Sequence, residues 1–217
     1  MQQRVLTIAL IIGLGFSVSL LASAFSAWRL PDNQQGYAPE QPIAYSHRLH
    51  AGELQIDCKF CHSAAASSRY AGIPSSDVCM KCHRFVTAPY NVTQQELQLA
   101  DKEKRPPKTI VSAELKKLYD ALALDDKLQP IPGRTPQSIP WVRIHNLPDY
   151  ACFSHQAHVS AGVTCQYCHG PIESMERVQQ FSTLSMGWCV NCHRDATQNG
   201  VNGRPVQAAT NCSVCHH

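Results

Sequence analysis

The chain is short of charge. Asp, Glu, Lys and Arg supply 16% of its 217 residues, against roughly 25% in an average soluble domain. The formal net charge of +3 is too small and too evenly spread to mark a nucleic-acid surface. Beyond residue 27 there is no long apolar run, which excludes a membrane protein with several spans. A disordered chain is disfavoured as well, because 44% of the residues are hydrophobic. Residues 88–140 hold neither cysteine nor histidine. The rest of the chain is rich in both, with eleven of each. Fourteen prolines and eleven glycines predict much irregular backbone.

The one apolar run is amino-terminal. Val5 to Ala27 is uncharged, and about 20 such residues cross the hydrocarbon core as a helix. This length predicts a retained anchor rather than a signal peptide, whose apolar stretch is about 7–15 residues. Ala22, Ser23 and Ala24 nonetheless have the small side chains of a cleavage site. Arg4 before the span predicts a cytoplasmic amino terminus and an exported remainder, with Trp28 and Arg29 at the far interface. Ala9, Gly13 and Ser17 form a small-residue stripe that suits close approach of another transmembrane helix. No cysteine follows Leu21 and Ala22, so a lipid-attachment reading lacks its acceptor.

Ten of the cysteines fall into five Cys-x-x-Cys-His pentads: Cys58, Cys61, His62; Cys79, Cys82, His83; Cys165, Cys168, His169; Cys189, Cys192, His193; and Cys212, Cys215, His216. This spacing reads as c-type haem attachment. Two thiols reach the vinyl groups on one edge of a porphyrin, and the next histidine ligates the iron from below. At this composition chance supplies on the order of 0.03 pentads per chain. Zinc ribbons also pair Cys-x-x-Cys but do not require a histidine after each pair. A disulfide framework would not place one there either. The expected cofactors are therefore five covalently bound haem c groups. Because thioethers form outside the cytoplasmic membrane, the motif and the anchor agree on compartment. Cys152 is left over and reads as a small buried hydrophobe.

The chain also repeats itself. Tyr45-Ser46-His47-Arg-Leu-His50 precedes the first pentad, and Phe153-Ser154-His155-Gln-Ala-His158 precedes the third. Each block leads into two pentads, the second followed by arginine (Arg84, Arg194). The unit is a two-haem module present twice, with a fifth haem at the carboxy terminus. Six histidines remain for the distal side of five irons: His47, His50, His145, His155, His158 and His217. His47 and His155 are expected to serve the first haem of their own modules, His50 and His158 neighbouring haems, and His145 the fifth. His217 ends the sequence, where side chains are usually loose. Met186, just before the fourth pentad, is the methionine best placed to replace a histidine and raise that haem's potential. With two protein ligands on every iron, no position is left for substrate. The chain then carries electrons and has no catalytic residues of its own.

Between the modules, Thr93 to Glu96 reads as a capping box opening a helix to about Lys104. Ser112 can cap a second helix through Leu124, with Leu115, Leu118, Tyr119 and Leu122 on one face. The expected domains are an anchor at 1–30, a first two-haem module at 31–90, a helical and proline-rich insert at 91–140, and a second module with the fifth haem at 141–217. The fold class is mainly irregular with short α-helices packed around five haems, with little sheet, plus one transmembrane helix.

Three stretches are distinctive: Pro42 to Glu53; Trp141 to Tyr150 running into Phe153 to His158; and Met186 to Arg194. They resemble the membrane-anchored pentahaem cytochrome c subunit of alternative complex III, over most of residues 41–217. The His-x-x-His before a pentad is similar, more broadly, to class III cytochromes of the c3/c7 type. There the first histidine serves the following haem and the second serves another. The resemblance implies a quinol-oxidising membrane complex that passes electrons to a soluble periplasmic cytochrome or copper protein. It implies partners too: an iron–sulfur, molybdopterin-oxidoreductase-like subunit, polytopic quinol-binding subunits and a monohaem cytochrome c. Two other readings stay open: a self-contained multihaem quinol dehydrogenase, and a multihaem reductase with one open iron.

Overall fold

The computed structural model describes residues 2–27 and 33–216; Trp28, Arg29 and His217 lie outside them. Helix α1, Gln2–Ala27, stands apart from the rest. Its segment Gln3–Ala24 has a mean hydropathy of 2.5 and none of it is buried, so its length and composition suit a membrane span.

The remaining helices are short. They are α2 (Cys58–Cys61), α3 (Ser76–His83), α4 (Tyr90–Lys102), α5 (Ala113–Ala121), α6 (His155–Ser160), α7 (Cys165–His169), α8 (Met186–Asn199) and α9 (Cys212–Cys215). Among the described residues there is no strand, only the isolated bridges Leu124–Pro130 and Val201–Arg204. Each repeat opens on its serine. Ser154 Oγ accepts from Ala157 N–H at 3.4 Å as the N-cap of α6, and Ser46 Oγ accepts the matching bond from Leu49 N–H at 3.1 Å. The turns that follow differ. Residues Arg48–Glu53 wind as a π-helical turn, with Leu54 N–H reaching back to Leu49 O, whereas α6 is regular.

The insert departs from the expected boundaries. Helix α4 begins at Tyr90, with Pro89 at the N-cap. Proline suits a helix start because it has no N–H to leave unpaired. Thr93 therefore lies inside the first turn, its hydroxyl donating to Pro89 O, and no capping box forms. Glu96 turns instead to Arg105 and to the Lys108 N–H. Ser112 caps α5 as expected, accepting from Leu115 N–H. That helix stops at Ala121 because Ala123 is left-handed, at φ +56°.

The modules dock reciprocally. The π-helical turn of the first packs on the Ile172–Ser174 turn that follows the third pentad, and α6 packs on the Ser63–Ala66 turn that follows the first. Main-chain bonds fasten both contacts: Arg48 N–H to Met175 O at 3.0 Å, His155 N–H to Arg69 O at 3.0 Å and Gln156 N–H to Ser68 O at 3.0 Å. The insert packs on the second pentad through a core of Met80, Leu118 and Tyr119. Apolar burial is otherwise sparse. The accessible surface is 15585 Å², against about 10,000 Å² for a compact chain of this mass. The exposed α1 contributes to that excess.

Candidate haem-binding site

Every pentad lies on a helical turn, which sets its two cysteines three apart on one face with the histidine directly after the second. Local caps start two of these helices. Asp57 accepts from Lys59 N–H ahead of the first pentad, and Ser185 accepts from Trp188 N–H ahead of the fourth.

The histidine rings are oriented through Nδ1. His62 Nδ1 bonds to Gly72 O at 2.7 Å, His83 to Val86 O at 2.8 Å, His193 to Ala209 O at 2.5 Å and His216 to Tyr150 O at 3.1 Å. Three of the spare histidines do the same. His50 bonds to Ser46 O at 2.8 Å, His158 to Ser154 O at 2.8 Å and His155 to Arg69 O at 3.1 Å. A carbonyl can only accept, so in each of these Nδ1 carries the proton and the Nε2 lone pair is left to bind a metal. Burial pushes His47 and His169 down to about 4, with His62 and His145 respectively as the next causes. Both imidazoles are neutral at ordinary pH, the form that ligates.

Three rings of the His-x-x-His pairs face pentad rings. The centroid separations are 6.1 Å for His50 and His83, 6.5 Å for His155 and His169, and 5.9 Å for His158 and His193. An imidazole nitrogen sits about 2.0 Å from a bound metal and roughly 1 Å from its own ring centre, so two rings across one metal stand about 6 Å apart. The repeat is reproduced to fine detail. Tyr45 stacks on His50 and Phe153 on His158, both at 4.4 Å. Tyr45 and Phe153 meet His47 and His155 edge-on, both at 4.9 Å.

The cysteines show how the pentads follow one another in space. Burial raises the Cys58 thiol, and Cys165 adds to the rise through charge and a hydrogen bond. Burial likewise raises Cys61, with Cys82 next, and Cys79, with Cys61 next. Cys168 is pushed up to about 11 by burial, then by Cys192 and Cys189, and Cys189 is raised by burial, then by Cys215. The spatial order is thus second, first, third, fourth, fifth.

These residues fit haem. Three pairs of imidazole rings stand at a metal-spanning separation, whereas among the described residues no three His, Cys, Asp or Glu side chains gather as a zinc ion requires. The polypeptide also leaves apolar side chains uncovered beside the pentads: Phe60, Ile73, Phe85, Tyr150, Tyr167 and Val214 are 46%, 64%, 79%, 65%, 51% and 48% exposed. A porphyrin face is the kind of surface such groups pack against.

The other candidate residues lie as follows. His145 Nε2 stands 3.1 Å from Nδ1 of His169, with the rings at 80°, rather than across a ring-wide gap from a pentad histidine. Met186 opens α8 and is 71% exposed. His47 is half-buried, its Nδ1 having no partner. Cys152 is half-buried, and its N–H donates to Cys215 O at 2.7 Å. Next to His47, Arg48 pairs with Glu53 and with Glu176. Several residues that hold the site had no motif to announce them. Gln180 is fully buried, accepts from Asn146 N–H at 3.1 Å and bonds by its backbone to Gly36 and Tyr37. Ser182 Oγ donates to Cys168 O at 2.8 Å. Their only sequence signal is a polar run between two pentads.

Comparison with known proteins agrees with this geometry. The multihaem cytochrome c subunit of menaquinone reductase from Nitratidesulfovibrio vulgaris (strain Hildenborough) is 24% identical over 217 residues, covering 91% of this chain and 86% of the relative. Residues 151–217, which hold the third, fourth and fifth pentads, match the family described as cytochrome c7 and related cytochrome c. Over residues 151–217 the chain is thus similar to c7-type cytochromes, and over most of its length to a multihaem cytochrome c subunit.

Proposed function

We propose that this chain is the pentahaem electron-transfer subunit of a membrane quinone oxidoreductase. The observation that carries the reading is the facing of His50, His155 and His158 on pentad histidines at 5.9–6.5 Å. Cys58, Cys61, Cys79, Cys82, Cys165, Cys168, Cys189, Cys192, Cys212 and Cys215 tether five haems. His62, His83, His169, His193 and His216 are the proximal ligands. The distal partners are His47 for His62, His50 for His83, His155 for His169 and His158 for His193. The His47 assignment follows from the repeat and from the neighbourhood of His62. Met186 is assigned to the fifth site. It lies one turn before Cys189, the cysteine that neighbours Cys215. Haem, when bound, supplies reversible one-electron chemistry. The polypeptide anchors each group twice, fixes the imidazoles through Nδ1 and sets the pentads side by side.

The remaining parts of the proposal follow from α1, the sequence resemblance and the relative's name. The chain is held in the inner membrane by α1, amino terminus inside, with the haem modules on the periplasmic side. Its partners are polytopic quinol-binding subunits, an iron–sulfur or molybdopterin-like subunit and a monohaem cytochrome c. Electrons pass from quinol to a periplasmic cytochrome or copper protein. The relative is named as a subunit of menaquinone reductase, the opposite direction, and ligated sites of this kind serve either. The test is a pyridine haemochrome assay and quinol titration of the purified complex and of the isolated chain. Five haems per chain are expected, reduced by a menaquinol only within the complex. A count well below five, or reduction of the isolated chain by quinol, overturns the reading.

A further inference from the structure

His145 is half-buried, and its position is set by its surroundings. Arg143 Nε donates to its carbonyl at 3.0 Å, and the next residue, Asn146, donates its N–H to the fully buried Gln180. Gln180 in turn donates to Ser182 O at 3.1 Å, and the Ser182 hydroxyl is bonded to Cys168 O. The main chain just after His145 is thus tied to the third pentad.

The nitrogen facing His169 is the informative atom. An axial partner would present its Nε2 across the metal from Nε2 of His169. His155 occupies that place, its ring 6.5 Å away and within 10° of parallel. His145 instead approaches Nδ1, at 3.1 Å and nearly perpendicular. The other four pentad histidines give Nδ1–H to main-chain carbonyls. At the third pentad an imidazole replaces the carbonyl. The acceptor beyond a metal-bound histidine raises the basicity of that ligand, and a more basic ligand favours the ferric over the ferrous state.

Resting on the haem reading above, we propose that His145 is not an iron ligand but the positioning residue of the third site, accepting the Nδ1–H of His169 and lowering that haem's potential. Replacing it leaves five haems and their spin state unchanged and shifts one redox step only.

The experiment is a spectroelectrochemical titration, with pyridine haemochrome and electron paramagnetic resonance, of the full chain and of His145→Ala and His145→Gln. The expected result is five low-spin haems in all three. In His145→Ala one step rises by about a tenfold change in the ferric-to-ferrous ratio, equal to about 59 mV for a one-electron couple. In His145→Gln, which keeps an acceptor, it rises less. A new high-spin haem in His145→Ala would make His145 an axial ligand and overturn the proposal, as would five unmoved steps. A haem count below five in the unsubstituted chain fails the functional reading instead. Should the variants not mature, nitrogen-15 histidine labelling of the reduced parent decides: a scalar coupling between His169 Nδ1 and His145 Nε2 is expected, and its absence overturns the assignment.

Discussion

Tyr119 is wholly buried, yet its hydroxyl donates to His83 O at 2.5 Å. A core residue of the insert thereby holds the end of the second pentad. Burial raises the phenol above its usual range, so it remains a donor at every ordinary pH. Tyr119→Phe keeps the ring and orphans a carbonyl, at a cost of about 1 kcal/mol. Thermal unfolding of the mature protein should show a drop of about 2–4 °C with the haem count unchanged. An unmoved midpoint would mean that the bond contributes nothing. The apolar face carrying Tyr119 is readable from Leu115, Leu118 and Leu122 at helical spacing. The hydroxyl's partner is not, because it lies 36 residues away on a backbone atom.

Helix α4 shows how an element answers to its neighbours. Its start was expected at Thr93 and falls at Pro89, since proline preorganises a helix start without leaving an N–H unpaired. Glu96, released from capping, is 10% exposed in its side chain and pairs with Arg105 at 2.6 Å. The Arg105 guanidinium, with the Lys108 N–H, holds the Glu96 carboxyl down to about 2, against 4.5 ordinarily. A depressed carboxylate contributes stability above its unfolded value and loses it as pH falls through the folded one. The insert should therefore weaken between about pH 4.5 and pH 2. The check is the urea midpoint across that window, which should fall further for the parent than for Glu96→Gln. Parallel curves would exclude the pair as a cause. The polar sequence of α4 discloses a helix but not the fate of Glu96, because Arg105 reaches it only after the chain turns at Lys104, left-handed at φ +51°.

At the scale of the whole molecule, two copies of one unit are locked face to face. The contact depends on Gly52, where an added Cβ would collide with the Glu173 carbonyl. Backbone cannot yield as a side chain can, so Gly52→Ala must part the π-helical turn from the Ile172–Ser174 turn. The expected loss is about 1–3 kcal/mol, the range for overpacking a tight contact. The attachment motifs themselves are untouched, so covalent haem content should stay at the parent value while the midpoint of thermal unfolding falls. A variant as stable as the parent would show that the modules are not held together there.

What the sequence by itself determined is local. Thioether spacing, the adjacent histidine, the repeated His-x-x-His and the apolar amino-terminal run are all properties of residues within a few positions of one another. Their chemistry requires no fold to be recognised. Which histidine faces which, and in what order the pentads lie, was decided only by the tertiary structure. His155 belongs to the second module but takes its Nδ1 acceptor, Arg69, from the first. The first and third pentads become neighbours because each module covers the turn that follows the other's leading pentad. His145 carries the same imidazole as its neighbours, and its place beside Nδ1 of His169 goes with a buried glutamine, 35 residues further along, that holds the next residue, Asn146. Long-range hydrogen bonds and steric closeness of this kind have no period and no motif, so they become visible only once the chain has folded.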